Sequence, residues 1–312
     1  MKTPIDQTGA GCKFCGSQHQ KEFIAQERMF RLPGSFVYQE CLSCGSLQIK
    51  EPPADLDQFY PDQYYSFSSL QRSPSWKNIL KKIRMKLFLN AGIFAPSYGY
   101  WLGKVHRHFD QKIADVGCGN GQLLYELHAS GYGSLAGFDP FIDEDLSLGS
   151  GIRLFKRSFD QAEGTFDLIM MHHSFEHMEY PDQILKACYE KLNPGGTLLI
   201  RCPVTDAQVW KDKREYWVQL DAPRHLIIPS VSGLGILGQK VGFSLEEVEF
   251  DSSDFQFWGT EAYEKELPLN PEQILPDYSK AELNQFKQKA LRYNQEGKGD
   301  QACFYFTKPF RS

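Results

Sequence analysis

From residue 111 onward, short apolar runs alternate with stretches in which apolar residues recur every three or four positions. The short runs, rich in Val, Ile, Leu and Phe, read as strands, and the periodic stretches read as helices. This pattern predicts strands over 112–116, 134–138, 152–156, 166–171, 197–202, 243–250 and 303–307. Helices are predicted over 120–130, 182–192 and 230–241, the last two closed by Asn193-Pro194-Gly195-Gly196 and by Gly242. Apolar strands alternating with helices imply an α/β fold, a Rossmann-like parallel sheet with helices on both faces. About fifty residues separate the last two strands. They include a helix-like run over 280–293, so an insertion at about 252–300 is expected to cap the sheet or to build part of a substrate pocket.

Upstream the pattern changes. Trp76, Ile79, Leu80, Ile83 and Leu87 fall at helical spacing over 76–89, with Lys77, Lys81, Lys82, Arg84 and Lys86 among them. A solvated charged face accounts for those cations, with contact to a diphosphate or a membrane surface as the alternative. A second helix is expected over 98–109. Residues 51–75 are rich in Pro, Asp, Tyr and Ser, as a linker is, yet Phe59 to Phe67 is dense in aromatics. That segment is either pinned to the domain surface or folded over the mouth of a site, where Tyr65 would touch a ligand.

The first fifty residues carry two C-x2-C pairs, Cys12 with Cys15 and Cys41 with Cys44, and a glycine follows each pair. Each pair puts two thiolates on one tight turn, and two such turns complete a tetrahedral four-sulfur site for structural zinc. Two redox dithiols are the alternative. A ribbon of two strands over 22–40 would span the pairs. The predicted division is a zinc ribbon over 1–50, a linker and helical segment over 51–110, and a main domain over 111–312.

Composition changes this picture little. The chain has 312 residues and a formal net charge of −5, which weighs against a broad nucleic-acid footprint. No apolar leader or run long enough to span a membrane is visible, so a cytoplasmic location is expected.

The candidate chemistry gathers at Ile113 to Leu124, where a strand ending at Asp115-Val116 runs into Gly117, Gly119 and Gly121 and then into a helix. Such an elbow binds phosphate or nucleoside. The dinucleotide fingerprint G-x-G-x-x-G fits at Gly117 and Gly119 but meets Gln122 at its third glycine. Asp139, at the end of the second strand, suits a ribose in either reading.

D-V-G-C-G-N-G followed by F-D-P, then Asp167-Leu-Ile and Leu192-Asn-Pro-Gly-Gly196, resembles the class I S-adenosylmethionine-dependent methyltransferases in order and spacing over residues 111–202. The resemblance implies a seven-stranded sheet and an S-adenosylmethionine site. There Gly117, Cys118 and Gly119 would approach the amino-acid part of the cofactor, and Asp115 its ammonium. Asp139 would take the ribose hydroxyls. Pro140 and Phe141 would lie beside the adenine, with Ser158 and Phe159 at its edge. The paired knuckles, the Y-P-D-Q-Y-Y segment and Trp217 to His225 are similar to a bacterial subgroup acting on small molecules, sugar nucleotides or surface glycans. The sugar C-methyltransferases of that kind carry a further C-terminal domain, so an oxygen or nitrogen acceptor is expected here.

Such an acceptor needs a base. His172 and His173 follow the fourth strand, Glu176 and His177 come a turn later, and His225 lies in Asp221-Ala-Pro-Arg-His225. His225 is the first candidate, with ordering of its own loop as the alternative. His173 and His172 are the further candidates for the base, one or the other is expected to line the cofactor pocket, and Glu176-His177 is expected to be structural. Tyr216 and Trp217 would bind the acceptor or pack the loop. The competing functions are tRNA or protein methylation, a nicotinamide oxidoreductase, and a binding module built on the ribbon.

Overall fold

The computed structural model of the protein describes residues 11–60, 70–96, 99–105 and 108–310. Among these described residues, twelve strands and eight helices follow in chain order. The ribbon contributes β1 (Gln20–Gln26), β2 (Ser35–Cys41) and β3 (Leu47–Ile49), followed by α1 (Ser75–Ala91). The main sheet then takes β4 (Lys112–Val116), β5 (Ser134–Phe138), β6 (Leu146–Gly149), β7 (Ile152–Phe155), β8 (Phe166–His172) and β9 (Leu192–Pro203), with α2 (Gln122–Ala129) and α3 (Pro181–Lys191) between them. After these come α4 (Gln208–Lys213), β10 (Ile227–Ile228), α5 (Val231–Val241), β11 (Ser244–Phe250), α6 (Phe255–Glu264), α7 (Pro271–Ile274), α8 (Lys280–Gln295) and β12 (Gln301–Thr307).

The main sheet has the order β11-β12-β9-β8-β4-β5-β7-β6. β4 pairs in parallel with β5 and β8, and its Ile113, Ala114, Asp115 and Val116 are all buried. This is the continuous burial of a central strand covered on both faces. The sequence predicts seven parallel strands, and the sheet differs in two ways. β6 adds an eighth strand, antiparallel on β7, and β12 runs antiparallel between β9 and β11. One core layer lies under α3 and α5, around Leu185, Leu234 and Leu237, and takes in Cys12, Cys41 and Cys44 of the ribbon. The opposite layer, around Leu124 and Leu127, takes in Met85, Leu89 and Trp101.

The helix expected over 98–109 is a single turn over Tyr100–Gly103 among the described residues. Trp101 and Leu102 of that turn both point into the core. α1 matches its prediction within two residues at each end, but its stripe of Trp76, Ile79, Leu80, Ile83 and Leu87 faces solvent while Met85 and Leu89 pack inward. The expected insertion holds α6, α7 and α8, and α8 opens on a capping box between Ser279 and Glu282. Among the described residues no helix is long and apolar enough to cross a membrane.

The ribbon is tied to the main domain. β10 pairs with β3, so residues 227–228 form the fourth strand of the ribbon sheet. Ser46 and Ser230 share hydrogen bonds at 2.9 and 3.3 Å, and Ser230 Oγ donates to the carbonyl of Cys44. A Cβ on Gly233 would come within 2.2 Å of Ser46 Oγ, so the knuckle sits directly on the first turn of α5.

Candidate active site

The glycine turn leaves β4 at the point where the sheet order reverses, the crevice in which α/β sheets bind ligands. Gly117 has a φ of 75°. A Cβ there would meet that of Ser174 at 2.4 Å, so only glycine allows the approach. Ser174 Oγ donates to the carbonyl of Val116 at 2.6 Å, which ties the turn after β8 to the end of β4. Asp139, just past β5, accepts from the Gly119 amide at 3.0 Å and from the Phe141 amide at 2.9 Å. It therefore fixes the glycine loop and keeps further lone pairs for ligand hydroxyls.

Asp115 is buried one strand away. Burial, and then the neighbouring Asp139, push its carboxyl up to about 7. A cleft with two acids side by side suits a ligand carrying an ammonium and a pair of hydroxyls, and S-adenosylmethionine has both. Cys118 is buried, with Gly137 leaving room for its sulfur. Pro140 and Phe141 are exposed at the crevice, with Phe141 78% accessible. Ser158 precedes a short turn at Phe159–Gln161. Phe159 itself is buried, edge-on to Phe138 at 5.2 Å, so its ring belongs to the core beneath the crevice. Tyr65, together with Tyr64, lies outside the described residues.

The second half of the site is a cluster of histidines around Glu176. This carboxylate is fully buried, and neither oxygen has a hydrogen bond among the described residues. His173 Nδ1 lies 3.5 Å from Glu176 Oε1, and His225 Nε2 lies 4.0 Å from the same oxygen. Burial opposes the charge of Glu176, but His173, His225 and His177 together draw its carboxyl down to about 2. His225 Nδ1 is 2.7 Å from the carbonyl of Gln219, which only accepts, so the proton sits on Nδ1 and Nε2 holds a lone pair. Asp221 Oδ2 is 3.9 Å from that Nε2. Burial alone would raise the Asp221 carboxyl, and Arg224 beside it brings it below the usual carboxylate range.

His173 adopts a φ of 52° and receives a hydrogen bond on Nε2 from Arg201 at 2.7 Å. Its Nε2 is thus engaged by Arg201, and its Nδ1 faces Glu176. His172 is half-buried against Trp101, 4.6 Å between ring centres, and its Nε2 has no hydrogen bond among the described residues. Burial, then Arg201, holds its pKa well below the ordinary imidazole value, so it is neutral. His177 Nδ1 donates to the Arg224 carbonyl at 2.9 Å and lies 3.1 Å from the Tyr60 hydroxyl. Burial and then His225 lower its pKa to about 4. Glu176, His177 and His225 also place one ligand atom each within 4.8 Å of one another, a second group of potential metal donors.

Sequence reasoning missed Glu27, Tyr38, Arg201 and Asp251. Arg224 is wholly buried, bonded to Glu27 at 2.7 Å, to Asp221 at 2.6 Å and to the carbonyl of Phe59 at 2.9 Å. Arg201 pairs with Asp251 at 2.5 Å. The one available signal was Arg201 itself, a lone cation in an apolar strand. Tyr216 stacks under Arg28, and Trp217 is buried with its indole nitrogen on Asp300, so packing accounts for both.

In the ribbon, Cys12 Sγ and Cys44 Sγ are 3.6 Å apart, Cys15 Sγ and Cys41 Sγ 3.5 Å, and all four lie within 4.8 Å of one another. A disulfide needs about 2.05 Å. The edge of a tetrahedral site with Zn–S bonds of about 2.3 Å is about 3.8 Å. The knuckles match each other: Cys12 N bonds Ser17 O at 2.8 Å, Cys41 N bonds Ser46 O at 2.9 Å, and Gly16 and Gly45 both have φ of 81°. The four cysteines therefore have the chemistry and spacing to hold zinc.

The model of a methyltransferase domain family matches residues 69–248, more than half of the chain. A tRNA U34 carboxymethyltransferase of Helicobacter acinonychis is 29% identical over 158 residues, covering 45% of this chain and 58% of that protein. A ubiquinone biosynthesis O-methyltransferase of Idiomarina loihiensis is 30% identical over 125 residues, covering 35% of this chain and 51% of that protein. The chain thus spans a little over half the length of the curated relatives it matches. Among solved structures, the cyclopropane synthase MmaA2 of Mycobacterium tuberculosis is 15% identical with a TM-score of 0.44, covering 82% of this chain and 95% of that chain. The chain belongs to this methyltransferase domain family.

Proposed function

We propose that this chain is an S-adenosylmethionine-dependent methyltransferase that methylates an oxygen or nitrogen of a small molecule, with His225 as general base. The observation that carries the reading is the Gln219 carbonyl on His225 Nδ1, which leaves a lone pair on Nε2, within 4.0 Å of Glu176 and Asp221. The cofactor supplies an activated methyl group, so the protein has mainly to align the acceptor and take up its proton. His225 Nε2 accepts that proton, and the two carboxylates stabilise the imidazolium that results. His173, held by Arg201, keeps Glu176 in place. His172, neutral and with a nitrogen left over, is the group we assign to a ligand hydroxyl or carboxylate.

On the cofactor side, the reading gives the ribose hydroxyls to Asp139, the ammonium to Asp115 and the adenine to Pro140 and Phe141. Gly117, Cys118 and Gly119 pass their backbone along the amino-acid part, and the turn from Ser158 edges the adenine. Zinc on Cys12, Cys15, Cys41 and Cys44 is structural, since four thiolates leave no open position. The ribbon over 1–50 then acts as a clamp on residues 225–230, with 111–312 as the catalytic domain.

A sugar or nucleotide-sugar is the acceptor class we place first, on the strength of the ribbon, the Y-P-D-Q-Y-Y segment and the loop from Trp217 to His225. The name of the Helicobacter acinonychis relative favours a second reading, a tRNA base, against which the net charge of −5 weighs. An acceptor screen with product mass measurement separates them. Nucleotide-sugars, small phenols and unmodified tRNA are each incubated with cofactor. A gain of one methyl on a nucleotide-sugar supports the first reading, and a gain only on tRNA replaces it with the second.

A further inference from the structure

We propose that α1 is a membrane-surface helix that docks the protein on an anionic lipid bilayer. Trp76, Ile79, Leu80, Ile83 and Leu87 are between 40% and 61% exposed, although each is a residue that a helix normally buries. At roughly 100° per residue they fall within an arc of about 100°, one continuous apolar stripe. Lys77 and Arg84 border the stripe on one side and Lys82 and Lys86 on the other, all exposed. The opposite side of the helix carries Met85 and Leu89, which hold it to the core. Just beyond its end, Ile93 and Phe94 extend the exposed apolar surface.

Charge identifies the occupant. The helix has five cations and no acid, in a chain whose net charge is −5. An apolar stripe bordered by cations on both sides matches the acyl boundary and the anionic headgroups of a bilayer. A second copy of this chain would set these cations against the same cations. The helix is firmly mounted: Lys81 bonds Glu126 at 2.6 Å, Ser73 N bonds the Tyr125 hydroxyl at 2.9 Å, and Gln71 N bonds Gln122 Oε1 at 2.8 Å. Gln122 opens α2 directly after the glycine loop, so the N-terminal end of the docking helix lies beside the cofactor crevice.

The test is co-sedimentation of the full, zinc-loaded chain with vesicles of phosphatidylcholine alone and of equimolar phosphatidylcholine and phosphatidylglycerol. The expected result is binding to the anionic vesicles, weaker by about tenfold or more on the neutral ones and at high salt. Ile79→Glu with Ile83→Glu should abolish it, and Lys82→Glu with Lys86→Glu should remove its preference for anionic lipid. Calorimetric binding of S-adenosylmethionine should stay unchanged in both variants, which shows that they are folded. Failure to sediment with anionic vesicles would overturn the proposal, as would sedimentation unaffected by the isoleucine changes. A concentration-dependent dimer that those changes dissociate, without vesicle binding, would assign the stripe to a second copy instead.

Discussion

Tyr38, on the second strand of the ribbon, donates its hydroxyl hydrogen to the backbone carbonyl of His225 at 2.8 Å. The next residue extends the link in both directions. Leu226 N bonds the carbonyl of Glu176, and the Leu226 carbonyl accepts from Ile49 N, both at 2.8 Å. The four-cysteine hairpin therefore reaches both the proposed base and the carboxylate behind it. Tyr38→Phe leaves a buried carbonyl without its donor, a cost of about 1–3 kcal/mol. The expected outcome is a lower melting temperature and reduced turnover with S-adenosylmethionine affinity nearly intact. Unchanged turnover in a measurably destabilised variant would disconnect the ribbon from the chemistry.

Zinc removal should act along the same route. Cys12→Ser, or prolonged chelation, is expected to lose the metal and loosen residues 225–230, seen as faster amide exchange at Leu226 and Ile228. Elemental analysis of the native protein should find one zinc per chain. Two per chain would place a second ion among Glu176, His177 and His225, and a full zinc complement in Cys12→Ser would refute the four-sulfur site.

The base itself is tested by His225→Ala. Turnover should fall by about two orders of magnitude or more while cofactor affinity holds. Glu176→Gln keeps the shape and removes the charge behind His225, so it should also lower turnover more than affinity. Wild-type turnover in His225→Ala would retire His225 as the base.

Cofactor affinity should depend on pH through Asp115. The carboxyl is raised to about 7, so it is protonated and neutral below that value and ionised above it. An ammonium pairs only with the ionised form. Affinity for S-adenosylmethionine should rise between about pH 6 and 8, by up to about tenfold per unit below the pKa, and then level off. Asp115→Asn should bind more weakly and show no such slope. The same shift makes the ligand-free protein lose stability as pH rises from the unfolded carboxyl value of about 4 through about 7, and the cofactor should restore it.

The sheet was legible because buried parallel strands leave apolar runs, as at Leu168 to Met171. β6 left no such trace, since Leu146 and Ser147 are exposed at a sheet edge. The antiparallel direction of β12 was equally silent, because a strand buried on both faces reads the same either way. In the site, the glycine turn and Asp139 were readable because their geometry is local. The environment of His225 was not, since Tyr38, Glu176 and Ile49 reach it or its neighbours from distant parts of the chain. Asn193 to Gly196, read as part of the cofactor motif set, lies where Asn193 Nδ2 bonds Asp167 Oδ1 at 2.7 Å, at the opposite end of β8 from His172. For α1 the period predicted a helix and an apolar stripe, but periodicity does not say which side faces the core.

The most direct test of the account is a calorimetric titration of the zinc-loaded chain with S-adenosylmethionine and, separately, with NADH. One S-adenosylmethionine site per chain is predicted, lost in Asp139→Ala because the ribose partner and the anchor of the Gly119 amide disappear together. No heat is predicted with NADH. Binding of NADH without S-adenosylmethionine, or undiminished S-adenosylmethionine binding in Asp139→Ala, would contradict the assignment of the crevice.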